Sequence, residues 1–396
     1  MSAPVRLSIL AIPILAVMTG NAALSLDMYL PAFPAIASDL AVAESAVQKT
    51  MATFLLGFAI GQMIYGPLSD SLGRRPVILI GLGLYGMVSV FCALSGDITD
   101  LTNYRLIQGL AGASGSVLGR AVIRDVYQGP ELTRALSMLM LVLTAAPMAA
   151  PLIGAQVLDL WDWRAIFWTL SAYACLWSIL IFIFVPETLS PSRRTPLKPG
   201  FLLYATKQVL THRIAMGYVL SASLGFAGMF AYISATPFIY MNIFGVSPSG
   251  YALFFAANIV SMACFSALNR RIAHKFALER LMTFLIWGLI LSATIMLINV
   301  LTDFGGVWGL AVPLFFFVGC LSPMAANGIS GTLHPFGQFA GTASSVFGLF
   351  QFGIGSLAGY VVSLLNDATA QPLAYTVMGC ALLSFSIFKI SQRTSS

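Results

Sequence analysis

The sequence predicts an all-α polytopic membrane protein, and three observations lead to that class. Hydrophobic residues make up 58% of the 396-residue chain, and the mean hydropathy is +0.89. Only 9% of the residues are charged, whereas a soluble domain usually has about a quarter. Long apolar runs recur along the whole chain, and a run of roughly 20 residues can cross the hydrocarbon core of a bilayer. A soluble fold is therefore excluded.

Twelve apolar runs satisfy the length of a transmembrane helix, which is roughly 20 residues. They cover residues 7–32, 46–68, 76–95, 101–123, 135–158, 164–185, 214–238, 250–269, 279–301, 306–328, 340–365 and 372–390. The first run follows Arg6, as the apolar core of a secretory signal would. It is long enough to span the membrane and more runs follow it, so we expect an uncleaved first helix.

The longest polar stretch between runs lies at 186–213, between the sixth and the seventh. It contains four prolines and a group of basic residues. We therefore expect an N-terminal half at 1–185, a cytoplasmic basic linker at 186–213 and a C-terminal half at 214–396, with six spans in each half.

Charged residues are distributed unevenly between the two sides of the predicted helices. Most loops after even-numbered spans are basic, and most loops after odd-numbered spans are acidic, with Lys49 and Arg164 as exceptions. Basic loops remain in the cytoplasm, so we expect both termini there. The formal net charge of +6 follows from this sidedness and gives no reason to expect a nucleic-acid partner.

Asp27, near the end of the first run, and Arg105, near the start of the fourth, are the charges hardest to explain in such a chain. Ionisable groups at membrane depth are costly and commonly mark a proton or substrate path. With the predicted orientation, Asp27 lies about 8 Å before the outer end of its helix, and Arg105 lies about 6 Å after the outer start of its own. A carboxylate and a guanidinium at similar depth indicate a proton-coupled transporter.

These two groups would pair if the first and fourth helices were neighbours. Arg105 would then neutralise ionised Asp27, and protonation of Asp27 or competition by a substrate would loosen the pair and shift the balance between conformations. The alternative is a static pair that holds the two helices together.

The segment between the second and third spans combines glycines, one acid and two arginines. Gly66, Asp70, Gly73, Arg74 and Arg75 have the spacing of G-x-L-a-D-r-x-G-r-k, and the segment resembles this signature loop of the major facilitator superfamily. Glycines permit a tight cytoplasmic turn, and the acid and the first arginine can form an ion pair. The alternative is an ordinary polar loop that obeys the positive-inside rule, but that rule accounts only for the arginines.

Three further segments resemble motifs of the same superfamily. Arg105–Gly109 is similar to the R-x-x-q-G motif of its fourth helix. Around Pro147, Pro151 and Gly154, the fifth helix resembles the antiporter motif g-x-x-x-G-P-x-x-G-G, with alanine at three of the glycine positions. Alanine is small enough to keep the close helix approach. Leu26–Pro34 resembles the helix-1 signature of the bacterial Bcr/CflA drug-resistance branch.

This resemblance implies a major facilitator fold, in which two pseudo-symmetric six-helix halves rock around a central cavity. It implies a proton-coupled multidrug or antibiotic efflux transporter of the bacterial inner membrane, which exchanges drug for protons by alternating access. In that family the helix-1 acid and the helix-4 arginine, here Asp27 and Arg105, are assigned to proton coupling. The alternative is an exporter with the same fold for a cellular metabolite such as a small amino acid or a sugar.

The same resemblance bears on cofactors and partners. The proton motive force drives such transporters, so we expect no cofactor. The expected partners are small lipophilic or weakly polar drugs, protons and the lipid bilayer. We expect a monomer, because each chain of this fold encloses its own cavity.

A second group of charges gathers at the cytoplasmic ends of the helices. Asp125 ends the fourth span on the same side as Asp70 and Arg74. By the resemblance, these residues belong to a latch that is closed in the outward-facing state. The alternative is that they only set the topology of the chain.

Aromatic and uncharged polar side chains are the candidates for the wall of the substrate cavity. A wall of this kind suits lipophilic or weakly polar compounds and broad selectivity. Each candidate can instead join two helices, because polar side chains also stabilise helix contacts in membranes. The candidates are Tyr29, Phe230, Tyr232, Asn258, Asn327 and Gln351.

The sequence carries no signature of an enzyme or of a metal site. It contains neither H-E-x-x-H nor G-x-S-x-G, its five cysteines lie singly in different apolar runs, and its three histidines form no cluster. Gly81–Gly86 matches G-x-G-x-x-G, but it lies inside an apolar span without the strand that a nucleotide site requires. We predict a transporter, and not an enzyme, with no metal site. A passive channel, which would conduct downhill without coupling, is the remaining alternative.

Overall fold

The computed structural model describes residues 10–194, 199–336 and 340–393. Every regular element in these ranges is helical, and no strand occurs in them. In lipid each backbone N–H and C=O group must find its partner within the protein, and an α-helix satisfies them within one segment. The predicted all-helical class is confirmed.

Fifteen α-helices, α1 to α15 in chain order, occur in the described ranges. They are Ala11–Thr19, Asn21–Asp27, Phe33–Asp39, Glu44–Leu72, Arg74–Ala93, Ile98–Val126, Gly129–Leu160, Trp163–Phe184, Pro199–Thr211, Arg213–Phe238, Pro248–Ile272, Leu278–Leu301, Gly306–Leu333, Ala340–Leu365 and Gln371–Gln392. Two short 3-10 turns, Leu30–Ala32 and Pro191–Arg193, and one π-helical segment, Ile239–Ile243, also occur there.

Eleven segments of the described chain are long and apolar enough to cross a membrane. The first of them, Ala11–Asp39, combines α1, α2 and α3. The remaining predicted span lies within α7, Gly129–Leu160, and its stretch Ala146–Leu160 is an apolar helix among the described residues. The predicted limits were too narrow for α4 and α7, because polar residues continue both helices beyond their apolar runs.

The first predicted span is present as the span Ala11–Asp39, but its helix is interrupted twice. Its first three residues lie outside the described part of the chain. α1 ends at Thr19, and α2 begins at Asn21 and ends at Asp27. Pro31 and Pro34 follow, and proline lacks the N–H that a continuous α-helix needs. Asp27 therefore stands at the end of a helix, directly before an irregular segment.

The predicted linker at 186–213 contains a helix of its own. α9 buries Ala205 and Val209, which are four residues apart and therefore on one face. It packs against α10 and α14, while Leu203 remains exposed. Residues 195–198 of the linker lie outside the described part of the chain.

The chain divides into two compact units. The first unit comprises Met1–Ala32 and Thr53–Lys198, and the second comprises Phe33–Ala52 and Pro199–Ser396. In the first unit, α5 packs against α6 and α8, while α1 and α2 pack against α6 and α7. In the second unit, α10 packs against α13, α14 and α15, and α12 packs against α13 and α15. The predicted boundaries of the two halves stay a prediction.

Candidate functional site

Asp27 is the last residue of α2, and only 5% of it is exposed. Its carboxyl group forms no hydrogen bond and no ion pair with any residue that the structure describes. Taking a charge to membrane depth without a counter-ion is costly, and such groups usually carry a function. Asp27 is therefore a nearly buried carboxyl group without a counter-ion among the described residues, and its functional role stays a prediction.

The backbone beside Asp27 is in close contact with α7. A side-chain carbon on Gly154 would collide with the carbonyl oxygen of Met28, so only glycine fits there. Pro147 and Pro151 lie in the same helix. The residues of the predicted antiporter motif thus belong to the helix that packs against the Asp27 segment, and their role in antiport stays a prediction.

Arg105 is fully buried, and aromatic rings surround its guanidinium group. The guanidinium carbon lies 4.3 Å from the ring centre of Phe54, 4.5 Å from that of Tyr29 and 5.8 Å from that of Phe167. A cation over an aromatic face is attracted by the ring quadrupole, most strongly where water is excluded. We call these three residues the aromatic cage. Within it, the positive charge is stabilised without being neutralised.

Hydrogen bonds hold one side of the caged guanidinium. One terminal nitrogen of Arg105 donates to Oε1 of Gln108 at 2.7 Å and to the carbonyl oxygen of Ser25 at 3.3 Å. Gln108 extends this hydrogen-bond chain to α5, because its Nε2 donates to Ser89 Oγ at 2.7 Å. Nε and the other terminal nitrogen of Arg105 have no hydrogen-bond partner among the described residues.

The predicted ion pair between Asp27 and Arg105 is not formed in this structure. Their helices are neighbours, as the pair required, since α2 packs against α6. The two side chains, however, lie on different faces. The carbonyl of Ser25 and the ring of Tyr29 contact Arg105, and within α2 Asp27 is rotated from Ser25 by about 200° around the helix axis at 3.6 residues per turn. The assignment of both residues to proton coupling stays a prediction.

Three carboxylates surround Arg74 at the other end of the first unit's helices. Its guanidinium lies 2.5 Å from Oδ1 of Asp70 and 2.9 Å from Oδ2 of Asp125. Its backbone N–H donates to Oε1 of Glu187 at 3.0 Å. We call these four residues the Arg74 cluster. The predicted contact between Asp70 and Arg74 is present, and their role in a latch stays a prediction.

The turn between α4 and α5 depends on one of the two glycines of the signature loop. Gly73 has φ 107° and ψ 155°, a region that is essentially restricted to glycine. A side-chain carbon there would also collide with Oε2 of Glu187. Gly66 instead lies inside α4 with open space around it. The expectation that both glycines form the turn is wrong for Gly66, because α4 continues to Leu72.

Arg75 joins the start of α5 to the end of α8. Its guanidinium donates to the backbone carbonyl oxygen of Phe182 at 2.5 Å, and the guanidinium carbon lies 4.8 Å from the centre of the Phe182 ring. Its backbone N–H donates to Oε2 of Glu187 at 3.3 Å. Glu187 thus accepts from the first two amides of α5, where the helix dipole favours a negative charge.

Two charged residues were missed by the sequence analysis. Glu187 was recognisable only as an acid in an otherwise basic linker, directly after a proline and a span. Arg120 lies inside α6 and is half-buried, and its Nε donates to the carbonyl oxygen of Ser116 at 3.1 Å. No carboxylate pairs with Arg120 in the described part of the chain. Its position inside an apolar run was the available indication.

Most candidates for the cavity wall take part in contacts between helices. Tyr29 belongs to the aromatic cage, and Phe230 packs against Phe352 with a centroid distance of 5.7 Å. Their assignment to the substrate stays a prediction. Asn258 donates from Nδ2 to the hydroxyl oxygen of Tyr232 at 2.6 Å. The side-chain amides of Asn327 and Asn269 form two hydrogen bonds with each other, at 3.2 and 3.3 Å. Gln351 is half-buried and has no hydrogen bond to a described residue.

Asp27, Arg105 and the loop Gly66–Arg75 lie in segments whose sequences resemble motifs of one family. The Major Facilitator Superfamily model matches residues 15–360. The chain belongs to the major facilitator superfamily. Members of this superfamily are secondary transporters, so the protein is a multi-pass membrane transporter and not an enzyme.

Relatives within the superfamily include several resistance proteins. The chain is 33% identical over 358 residues to the bicyclomycin resistance protein homolog of Haemophilus influenzae, with 90% of each chain covered. It is 31% identical to multidrug resistance protein D of Escherichia coli, over 90% of this chain and 89% of that protein. It is 31% identical to the chloramphenicol resistance protein of Pseudomonas aeruginosa, over 92% and 88%. The resemblance to the Bcr/CflA branch is confirmed.

Solved structures of the same superfamily share the fold. A mutant of the nucleoside transporter NupG superposes with a TM-score of 0.77 at 13% identity, covering 98% of this chain and 99% of that chain. The D-xylose-proton symporter superposes with a TM-score of 0.72 at 16% identity, covering 98% and 100%. The predicted major facilitator fold is confirmed.

Proposed function

We propose that the protein exports drugs in exchange for protons, by alternating access, across the bacterial inner membrane. The observation that carries the proposal is Asp27, a nearly buried carboxyl group with no counter-ion among the described residues. The names of its relatives, which refer to bicyclomycin, multidrug and chloramphenicol resistance, support drugs as the exported class. Both termini are cytoplasmic in this proposal, because the basic loops stay on that side.

Asp27 is the proposed proton-binding group. Binding and release of a proton there change the net charge inside the membrane, and such changes carry a large free energy. The two conformations of a transporter respond only to a ligand that interacts differently with each of them. A proton on Asp27 meets this condition if one conformation buries the group and the other opens it to water.

Arg105 takes part through the helix segment that carries Asp27, and not through a direct ion pair. The carbonyl of Ser25 and the ring of Tyr29 contact its guanidinium from two positions on either side of Asp27 in the sequence. A rotation of this segment that re-exposes Asp27 must therefore break or change the contacts of Arg105. This is the proposed connection between proton binding and the movement of the helices.

The proposed substrates are small lipophilic or weakly polar drugs. In α10 to α15 of the second unit, the charged residues of the described chain stand within the first or last turns of their helices. They are Arg213, Arg270, Arg271, Glu279, Arg280 and Lys389. A wall without fixed charges at membrane depth favours compounds whose binding needs apolar contact and a few hydrogen bonds. The transporter needs no cofactor in this proposal, and it works as a monomer.

The decisive experiment is proton movement in inverted membrane vesicles energised to an acid interior. Chloramphenicol and bicyclomycin are added to vesicles with the wild type, with Asp27→Asn, or with Asp303→Asn as a control that makes the same change at an exposed loop residue. We expect proton release with the wild type and the control and none with Asp27→Asn, at equal amounts of inserted protein. Equal release from Asp27→Asn would show that Asp27 is not the coupling group. If no drug acts on the wild type, drug export is wrong and the metabolite exporter takes its place.

A further inference from the structure

A cavity of about 200 Å³ lies in the second unit, at the end of α4 opposite to Asp70. Its wall consists of the start of α4, the segment around the π-helical turn Ile239–Ile243, and the connection between α14 and α15. It shares no residue with the surroundings of Asp27 or with the aromatic cage. The chemistry of this wall indicates a ligand.

Two hydrogen-bond acceptors stand on the same face of α4 in this cavity. Glu44 and Gln48 are four residues apart and both line it. Gln48 is only 2% exposed, and its Oε1 has no hydrogen-bond partner among the described residues. A buried acceptor without a partner is unfavourable, because it has lost its bonds to bulk water. Because Gln48 lines the cavity, a donor bound there would remove this cost once the amide group turns its Oε1 towards it.

Glu44 retains acceptor capacity after its one protein contact. Its Oε1 accepts from Nδ2 of Asn242 at 2.6 Å, and a carboxylate offers about four lone-pair sites. Asn242 belongs to the π-helical turn, a local irregularity that often occurs at functional sites. The turn therefore presents a donor that orients the carboxylate and leaves its other oxygen free for a ligand.

The cavity is acidic and partly apolar. None of the residues that line it is basic, and Phe238, Val362 and Leu373 form its apolar side. The nearest lysine in the sequence, Lys49, lies 5.9 Å from the ring centre of Tyr360 and is not part of the wall. A matching ligand carries a positive charge, N–H donors and a small apolar body.

We propose that this cavity binds a primary organic ammonium ion. Its N–H groups donate to the carboxylate of Glu44 and to Oε1 of Gln48, and its apolar body lies against Phe238. Charge-assisted hydrogen bonds are roughly twice as strong as neutral ones, so the ammonium ion binds more tightly than an uncharged compound of the same shape. The site is independent of proton coupling at Asp27.

The test is calorimetric titration of benzylammonium chloride into the full-length protein in lipid nanodiscs. We expect saturable binding to the wild type, with an affinity about ten-fold lower for Glu44→Gln and about five-fold lower for Gln48→Met. Glu279→Gln makes the same change in α12, away from the cavity, and should leave the affinity unchanged. Benzyl alcohol lacks the charge and benzyltrimethylammonium lacks the N–H groups, so both should bind at least about ten-fold more weakly.

Three results would overturn the proposal. They are the absence of saturable benzylammonium binding to the wild type, equal binding of benzyl alcohol, and an unchanged affinity in Glu44→Gln. Asp27→Asn separates this proposal from the proposed function, because it should abolish proton exchange and keep benzylammonium binding. Loss of that binding in Asp27→Asn would place the ligand in the transport path and would also contradict the proposal.

Discussion

Arg105 and Arg74 belong to the same unit, but the groups that surround their positive charges differ. Arg74 is surrounded by three carboxylates, two of them within 2.9 Å of its guanidinium. Arg105 is enclosed by three aromatic rings and hydrogen-bonded on one side, and two of its nitrogens have no partner in the described part of the chain.

This difference suggests two roles for a buried arginine, one in holding helix ends together and one in responding to movement of a neighbouring helix. An arginine that is paired with carboxylates, such as Arg74, holds helix ends together, because breaking a buried ion pair leaves an uncompensated charge. An arginine held mainly by rings, such as Arg105, keeps donors free and responds to small shifts of the neighbouring helix. We infer that Arg74 stabilises one arrangement of the helix ends and that Arg105 senses the state of the Asp27 segment.

Between the two arginine sites, the larger effect is expected from changing the caged arginine. Arg105→Lys keeps the charge but loses the planar group that stacks on the three rings and binds Gln108. A desolvated cation–π contact is worth about 2 kcal/mol, so we expect drug-driven proton release to fall by about 30-fold or more. The measurement is the vesicle assay at equal amounts of inserted protein. Arg124→Lys, on the exposed side of the same helix, should behave as the wild type; equal rates in both variants would refute the cage as a functional element.

A smaller effect is expected from the carboxylates of the Arg74 cluster. The side chain of Asp125 is 12% exposed and that of Asp70 is 47% exposed, and solvent-exposed ion pairs contribute little. Asp125→Asn should therefore slow turnover by about ten-fold and Asp70→Asn by about three-fold, while the affinity for drug stays the same. Turnover and binding are measured separately, by initial efflux rates and by titration. The reverse order of the two variants would contradict this account of the cluster.

The smallest effect concerns stability and distinguishes the two glycines of the signature loop. Gly73→Ala places a side chain in a region of φ and ψ reserved for glycine and against Glu187, so we expect a loss of about 1–3 kcal/mol. Gly66→Ala introduces a methyl group into open space on a helix, so a gain of about 0.4–1 kcal/mol is expected. Thermal unfolding of the purified variants gives both values. If both variants changed the stability in the same direction, the proposed difference between the conformations of Gly73 and Gly66 would be contradicted.

The fold and the motif residues were predictable because they depend on features that are local in sequence. Apolar runs fix the number of spans, and the spacing of Asp70, Gly73 and Arg74 identifies the loop. Boundaries were less accurate where polar residues extend a helix, as at the start of α4. The interruption of the first span at Gly20 was missed, because a single glycine inside an apolar run has little effect on hydropathy.

The site was predicted only in part. Asp27 and Arg105 stand out as charges in apolar runs, yet their pairing was inferred from equal depth alone. Depth follows from residue counts, but the face on which a side chain lies follows from how each helix is rotated against its neighbours. Glu187 was missed for a related reason, since it meets the backbone of Arg74 across 113 positions of sequence.

The sequence by itself determined the membrane class, the number of spans, their expected sidedness and the family, because hydropathy, charge and motif spacing are properties of single segments. Only the tertiary structure decided that Arg105 is caged by rings, that Asp27 faces away from it, and that Glu187 caps α5. Those contacts join segments that are distant in the chain, and the rotation and close packing of whole helices select them.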